Sequence, residues 1–485
     1  MNKPLRRIAI FCGILVLALM IRDNWLQYVR ADELNTHKLN KRVEIERYAH
    51  ERGNIIVDGK AVTGSVETDD NYYKYKRTYA DGPMWAPVTG YASQVFGANQ
   101  IEKLEDGILS GNSDQLFFDR TMAMFTGDKK KGGNVVTTLN GKAQKAAFEG
   151  LGKKKGAVAA IDPKTGRILA LASTPSYDPS SFAGRLKDDE KAWVSLTKDT
   201  DKPMLNRALR ETYPPGSTFK VVTAAAALEN GKVEDIDEPT DTPEPYILPG
   251  TKTPMVNHAK GCENASLNRA MEVSCNSVFA KLGDDVTRDK MVETAEKFGF
   301  NNGEIDTPVR AATSVYDKNM SRDGNAQSSI GQFNTAATPL QMAMVTAAIA
   351  NDGKLMKPYM IDKLESPGLE VIQQNEPEEM SRPISAENAQ LLQQMMENVV
   401  ERGTGGNAAI NGVKVGGKTG TAQHGENNSK NPYAWFISYA KGADGSPVAV
   451  AVVVEDSEAR RDDISGGGLA APIAKAVMKA VLDDK

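Results

Sequence analysis

Three short strings stand in one order along this chain: Ser217-Thr-Phe-Lys220, then Ser274-Cys-Asn276, then Lys418-Thr-Gly-Thr421. They constrain the fold because a serine nucleophile, a lysine base, a polar Ser/Asn pair and a cationic strand act together only if the chain gathers them at one place. Gathered, they are the equipment of a serine acyl-transfer site.

Each string alone is weak, and the chain carries its own decoys. Ser195 with Lys198 and Ser438 with Lys441 repeat the SxxK spacing, Ser266 with Asn268 and Ser110 with Asn112 repeat SxN, and Lys164-Thr-Gly166 repeats KTG. A lone SxxK is more often a helix cap followed by a solvated lysine, so local context has to choose. Ser217 lies in PPGSTFKVVTAAAALENG, where a Pro/Gly turn, an Ala-rich apolar stretch and an Asn230-Gly231 stop predict a buried helix that Ser217 opens. Positions i and i+3 share a helix face, so Lys220 is expected beside the Ser217 hydroxyl, with the helix N-terminus offering N–H groups to an oxyanion.

The competitors lack that setting. Ser438 lies in AWFISYAK, whose aromatic and β-branched content predicts a strand that sends Ser438 and Lys441 to opposite faces. Ser195 lies in the polar stretch KAWVSLTKDTDK with no apolar helix behind it. Lys164 lies in DPKTGR between the apolar runs GAVAAI and ILALAS, a hairpin turn. Both read as surface positions.

These residues resemble the penicillin-binding proteins, and the resemblance extends past the strings. GAVAAIDPKTGRILALASTPSYDP, NRALRETYPPGSTFK, SIGQFNTAATPLQMAMVTAAIANDG, GVKVGGKTGTAQ and NPYAWFISYA look like that family's transpeptidase domain from about residue 155 onward. Upstream, ERGNIIVDG and TGYASQVFGANQIEKLEDGILSG look like the pedestal of the class B, monofunctional members, and the compact length is similar to the actinobacterial ones. No segment resembles a glycosyltransferase domain. The cysteine between Ser274 and Asn276 departs from the family pattern.

The resemblance implies a D,D-transpeptidase acting on peptidoglycan stem peptides. Ser217 would attack a peptide ending in D-Ala-D-Ala, release D-Ala and hold an acyl-enzyme for another stem peptide's amine, or for water in a carboxypeptidase side reaction. Lys220 would be the base, Ser274 a proton shuttle, Asn276 a partner for the substrate backbone, and Lys418 with Thr419, Gly420 and Thr421 the carboxylate site. Backbone N–H groups of Ser217 and Thr421 would form the oxyanion hole. β-Lactams would acylate Ser217, and other cell-wall synthesis or division proteins would be partners. The rival readings are a serine β-lactamase, which shares the strings but usually lacks a pedestal and anchor, and a non-catalytic β-lactam sensor or scaffold.

Lys3, Arg6 and Arg7 precede an uncharged run from Ile8 to Ile21, which Arg22, Asp23, Trp25 and Tyr28 follow. The run is short against the about 20 apolar residues of a span, though snorkelling arginines and an interfacial Trp25 extend it. A cleaved secretory signal is the alternative; no small-x-small site follows Ile21, which favours an uncleaved anchor. The leading positive charges place the N-terminus in the cytoplasm and the rest outside, with too little chain ahead of the run for a sensor's signalling segment. Outside, Cys262 and Cys275 are disulfide-permissive; two reduced, buried cysteines are the alternative, because spacing gives no Cα distance.

Formal net charge is −4 with both signs spread along the chain, which leaves no nucleic-acid footprint. The four histidines, at 37, 50, 258 and 424, form no HExxH, so neither metal nor cofactor is expected. His424 follows the KTGT string closely enough to line the cleft, or else is a surface-loop histidine.

A chain of 485 residues predicts two or three domains. Residues 1–25 read as cytoplasmic tip and transmembrane anchor, 26–154 as pedestal and 155–485 as the transpeptidase domain, with Lys- and Gly-rich GKKKG at the boundary. Residues 26–50 read as a solvated helix leaving the membrane, and IIVDGKAV as a hairpin turning at Asp58-Gly59. GAVAAID, RILALAS, VKVGGKTGTA, AWFISYAK and PVAVAVVVED read as strands, with a helical middle and a closing helix from 468 to 482. The class expected is therefore α/β: a sheet completed by N- and C-terminal strands and flanked by helices, on an elongated pedestal.

Overall fold

The computed structural model describes residues 3–484 apart from 36, 38, 39, 128, 426, 427, 444 and 458. Its main sheet is antiparallel throughout, in the order Val415–Ala422, Tyr433–Gly442, Gly445–Asp456, Lys155–Ile161, Ile168–Thr174. The first and last stretches of the catalytic region thus meet in the middle of the sheet, as the sequence predicts. Side chains alternate across a strand: Ala449, Ala451 and Val453 enter one core, and Val448, Val450, Val452 and Val454 the other. Both faces are covered, which is why this strand is apolar at every position from Pro447 to Val454 instead of every second one. Helices Pro339–Ala350 and Ala386–Glu401 lie on the first face, and Gly141–Leu151 with Ala471–Leu482 on the second. Gly141–Leu151 precedes GKKKG yet packs on the C-terminal helix, so packing does not break where composition does.

The pedestal has its own five-stranded sheet, in the order Val371–Gln374, Ile361–Glu365, Asn134–Thr137, Ile55–Val57, Lys60–Ala61. The hairpin at Asp58-Gly59 is present, but two strands come from far along the chain, and Ile55–Val57 runs parallel to Asn134–Thr137. Beneath it Glu102 is fully buried between Arg52 and Arg77. An aromatic group of Tyr91, Tyr177, Phe182 and Trp193, with Phe96 stacked 4.5 Å from Trp193, joins this region to the catalytic one.

Two local expectations change. Residues 26–50 form separate short pieces, Trp25–Val29, Ala31–Asn35 and Lys41–Ala49, instead of one solvated helix. The apolar helix is longer than the uncharged run: Lys3–Asn24 continues through Trp25–Val29 with no residue buried, 27 residues that reach about 40 Å, enough to cross a bilayer.

Candidate active site

Pro215 and Gly216 lead into a single 3₁₀ turn, Gly216–Phe219, which passes directly into the buried helix Lys220–Glu229. Ser217 therefore sits on a tighter turn than the α-helix start expected from sequence. Gly216 adopts φ +54°, and a Cβ there would stand 3.1 Å from the Ala422 Cβ, so the residue needs both the left-handed backbone and the missing side chain. The turn packs on the KTGT strand and on the strand beside it, where Trp435 Nε1 donates to Pro214 O at 3.0 Å, and it is closed by Thr218 Oγ1 donating to Pro215 O at 2.7 Å. Gly420 is where the two meet, since a Cβ would lie 3.0 Å from Pro215 O and from Thr218 Cγ2. The missing side chain of Gly420 permits the serine turn to lie flat on the strand.

The second string reaches the site from a helix junction. Ser274 ends helix Leu267–Val273 in the left-handed region at φ +66°, and Asn276 begins helix Asn276–Val286. Lys220 is wholly buried, and its Nζ donates to Ser274 O at 2.8 Å and Asn276 Oδ1 at 2.7 Å and lies 3.2 Å from the Ser274 hydroxyl oxygen. From the opposite side Lys418 Nζ, also wholly buried, lies 2.8 Å from Ser274 Oγ and 3.1 Å from Thr419 O. One hydroxyl thus links the two lysines. Burial first, and then the neighbouring Lys418 cation, hold the Lys220 amine well below the ordinary lysine value. Burial alone brings Lys418 down to about 7.

Two links to other segments hold Ser274 and Asn276. Cys262 and Cys275 are joined by a disulfide, with Cα atoms 5.6 Å apart. Asn257 Oδ1 accepts from Asn276 N at 2.7 Å and Ser277 N at 3.0 Å, capping the helix from a distant loop, while Asn276 Nδ2 donates to Val256 O at 2.8 Å. No local signal marks Asn257, because a cap supplied across the fold leaves no pattern at the helix start.

A cavity of about 1050 Å³ opens over the site. Ser217, Ser274, Asn276, Thr419 and Thr421 line it, while Lys220, Lys418 and Gly420 stand behind that wall. Thr419 and Thr421 share one strand face, and Thr404, unseen from sequence, meets Thr419 at 2.6 Å between hydroxyl oxygens. His258, Gln332, Phe333 and Arg461 complete the rim. His424 is not part of this lining; it stacks 3.9 Å from the Tyr433 ring and bonds Asn431 O.

The decoys scatter. Ser195 and Lys198 are exposed on helix Lys187–Lys198, a helix the polar stretch concealed and that Ala192, Trp193 and Leu196 dock onto the aromatic group. Ser438 is buried in a strand, where Lys441 turns away to Glu397. Ser266 caps the Leu267–Val273 helix, Ser110 is buried in the pedestal, and Lys164 occupies the turn between two strands.

The comparisons with known proteins agree with this geometry. Residues 156–479 match the family model for the penicillin-binding protein transpeptidase domain, and residues 52–135 that for the penicillin-binding protein A dimerisation domain. The chain is 38% identical to the peptidoglycan D,D-transpeptidase PbpA of Mycolicibacterium smegmatis over 99% of both chains, and 38% identical to PbpA of Mycobacterium tuberculosis over the same shares. It is similar to the ceftriaxone acyl-enzyme of M. tuberculosis penicillin-binding protein A, with TM-score 0.86 and 38% identity over 90% of this chain and 100% of that one. The penicillin G acyl-enzyme of the same protein gives 0.83 at 37% identity, over 89% and 100%. The likeness runs through both domains and almost from end to end, and the chain belongs to the class B penicillin-binding proteins.

Proposed function

We propose that this chain is a peptidoglycan D,D-transpeptidase that cross-links stem peptides through an acyl-enzyme on Ser217 and is acylated there by β-lactams. The observation that carries the reading is the buried pair of lysines on either side of Ser274 Oγ. A serine hydroxyl is a poor nucleophile until a base takes its proton, and a lysine does so only when neutral. Burial first and Lys418 second push Lys220 toward that form.

Ser217 Oγ attacks the carbonyl of the penultimate D-Ala while Lys220 Nζ receives its proton. The backbone N–H groups of Ser217 and Thr421 hold the oxyanion, at about 3 kcal/mol for each donor. Collapse breaks the peptide bond; Ser274 passes a proton from Lys220 to the departing D-Ala amine, and the acyl group stays on Ser217. The amine of a second stem peptide then attacks, gives up its proton along the same path and regenerates the serine. Asn276 meets the substrate backbone, and the Thr419 and Thr421 hydroxyls with the Lys418 charge hold the terminal carboxylate.

Lys3–Val29 serves as a single-pass anchor with the catalytic region outside the cell, where other cell-wall synthesis proteins would meet it. We divide the rest into a pedestal and a transpeptidase domain, and assign Gly141–Leu151 to the latter because it packs on the closing helix. The disulfide fixes the loop that presents Ser274.

Fluorescent penicillin should label the full chain at Ser217, and Ser217→Ala should abolish labelling with the fold retained. Labelling that survives, or moves to Ser195 or Ser438, overturns the assignment. A penicilloyl adduct that turns over within seconds identifies a β-lactamase; one that lasts many minutes supports the transpeptidase.

A further inference from the structure

Helix Phe117–Thr126 in the pedestal is built inside out. Phe118, Met124 and Phe125 are 80%, 85% and 84% exposed, with Phe117 and Met122 beside them, whereas Asp119, Arg120 and Ala123 turn toward the protein. Arg120 Nη1 donates to Ser113 O at 2.8 Å, so the polar side is the one that is docked. At 100° per residue the five large apolar side chains fall within one arc of about 160°, which Thr121 shares.

The segment after the helix sits on the first structured piece beyond the anchor. Lys130 Nζ bonds Glu46 Oε1 of helix Lys41–Ala49 at 2.8 Å, and Gly132 N donates to Glu51 O at 3.1 Å. Residues 30–40, which join Val29 to Lys41, span at most about 40 Å, so the exposed face belongs to the end of the pedestal near the anchor. Lys129 and Lys131 are exposed next to it.

We infer that Phe117–Thr126 is an interfacial helix: its Phe and Met face lies among lipid acyl chains of the bilayer that holds the anchor, with Lys129 and Lys131 against anionic headgroups. The inference rests on the membrane reading above. Apolar side chains with flanking lysines are the composition of such a helix, and lipid needs no shape-matched surface. A second copy of this chain fits less well: a ten-residue helix offers a strip of about 15 by 10 Å, far below the roughly 800 Å² per partner of a stable dimer. The second contact would fix the tilt of the pedestal on a tether that alone leaves it free.

Cys12, in the anchor, is the one free thiol of the chain and provides the control. The full chain is reconstituted in vesicles of phosphatidylcholine and phosphatidylglycerol with a bimane on Cys12, or on F118C, M124C or I247C, the last an exposed position beside the cleft, in a C12S background. Replacing the lipids by acyl-brominated ones should quench the Cys12, F118C and M124C labels by about half or more and leave I247C unchanged. Penicillin labelling reports that each variant is folded. Quenching at Cys12 but not at F118C or M124C overturns the interfacial helix alone; no quenching at Cys12 overturns the anchor and this inference with it. Unquenched helix labels with F118C cross-linking between chains would assign the face to a second copy and also overturn the inference.

Discussion

In the pedestal, Glu102 is fully buried but lies 2.7 Å from Arg52 Nε and 2.6 Å from Arg77 Nε, and Arg52 reaches Asp106 as well. In the cleft, Lys220 and Lys418 are equally buried, yet neither has a carboxylate within ion-pair distance among the described residues. Burial pushes the Glu102 carboxyl up, but Arg77 and Arg52 outweigh it and leave the group below its ordinary value. Burial acts on the lysines without such opposition, and both fall toward neutrality. The same low-dielectric setting thus yields a fixed charge where partners are supplied and a titratable one where they are withheld. The first holds a shape; the second moves a proton.

The sharpest way to break the contrast is to make the cleft charge permanent. Lys220→Arg places a guanidinium that stays protonated where a neutral amine is required, so acylation by penicillin should fall by about 10²- to 10⁴-fold. Stopped-flow acylation checks this, with thermal unfolding to exclude a loss of fold. Near-normal acylation at neutral pH would mean that another group activates Ser217.

The converse change removes the pedestal's compensation. Glu102→Gln leaves the buried Arg77 guanidinium without a carboxylate and Arg52 with Asp106 alone, and should lower unfolding stability by about 3–5 kcal/mol, measured in urea. Acylation per folded molecule should stay unchanged, since Glu102 does not line the cleft. A parallel loss of acylation would show that the two clusters are not independent.

How far these features could be read beforehand follows from how local they are. The serine helix, the strand alternation of Gly445–Asp456 and the strings themselves are written in neighbouring residues. The pedestal sheet is not: Ile361–Glu365 looks like any short strand, and nothing in it names Asn134–Thr137 as its partner. Helix Lys187–Lys198 is polar by composition and owes its place to Trp193 stacking on Phe96. Asn257, Thr404 and the role of Gly420 depend on which backbone crosses which. The wall of the site was legible, and the parts that brace it from other segments were not.

Bracing predicts the next effect. The bond between Cys262 and Cys275, 13 residues apart, ties the Ser274 junction to a neighbouring loop, and loop closure puts its contribution at about 3 kcal/mol. Reduction should therefore lower thermal stability and slow acylation together, because Ser274 Oγ would lose its fixed place between the lysines. Thiol alkylation followed by intact-mass measurement checks the premise: two freely alkylated cysteines in the unreduced protein would rule out the bond. A stability loss with unchanged acylation would leave Asn257 as the sufficient support.

The smallest effect separates the two causes that lower Lys220. Burial is the larger and Lys418 the second, and both nitrogens bond one oxygen, so they lie within about 6 Å of each other. A neighbouring cation disfavours protonation, so Lys418→Gln should raise the Lys220 value. Acylation needs neutral Lys220 and is lost as pH falls through that value; the acidic limb of the rate profile should therefore move to higher pH. Lys418 itself loses its charge as pH rises through about 7, weakening the hold on a substrate carboxylate, and that alkaline decline should vanish in the variant. The absolute rate also falls with the carboxylate site, but the position of each limb does not depend on that fall. An acidic limb that stays in place would mean that burial alone keeps Lys220 neutral and that Lys418 serves only to hold the substrate.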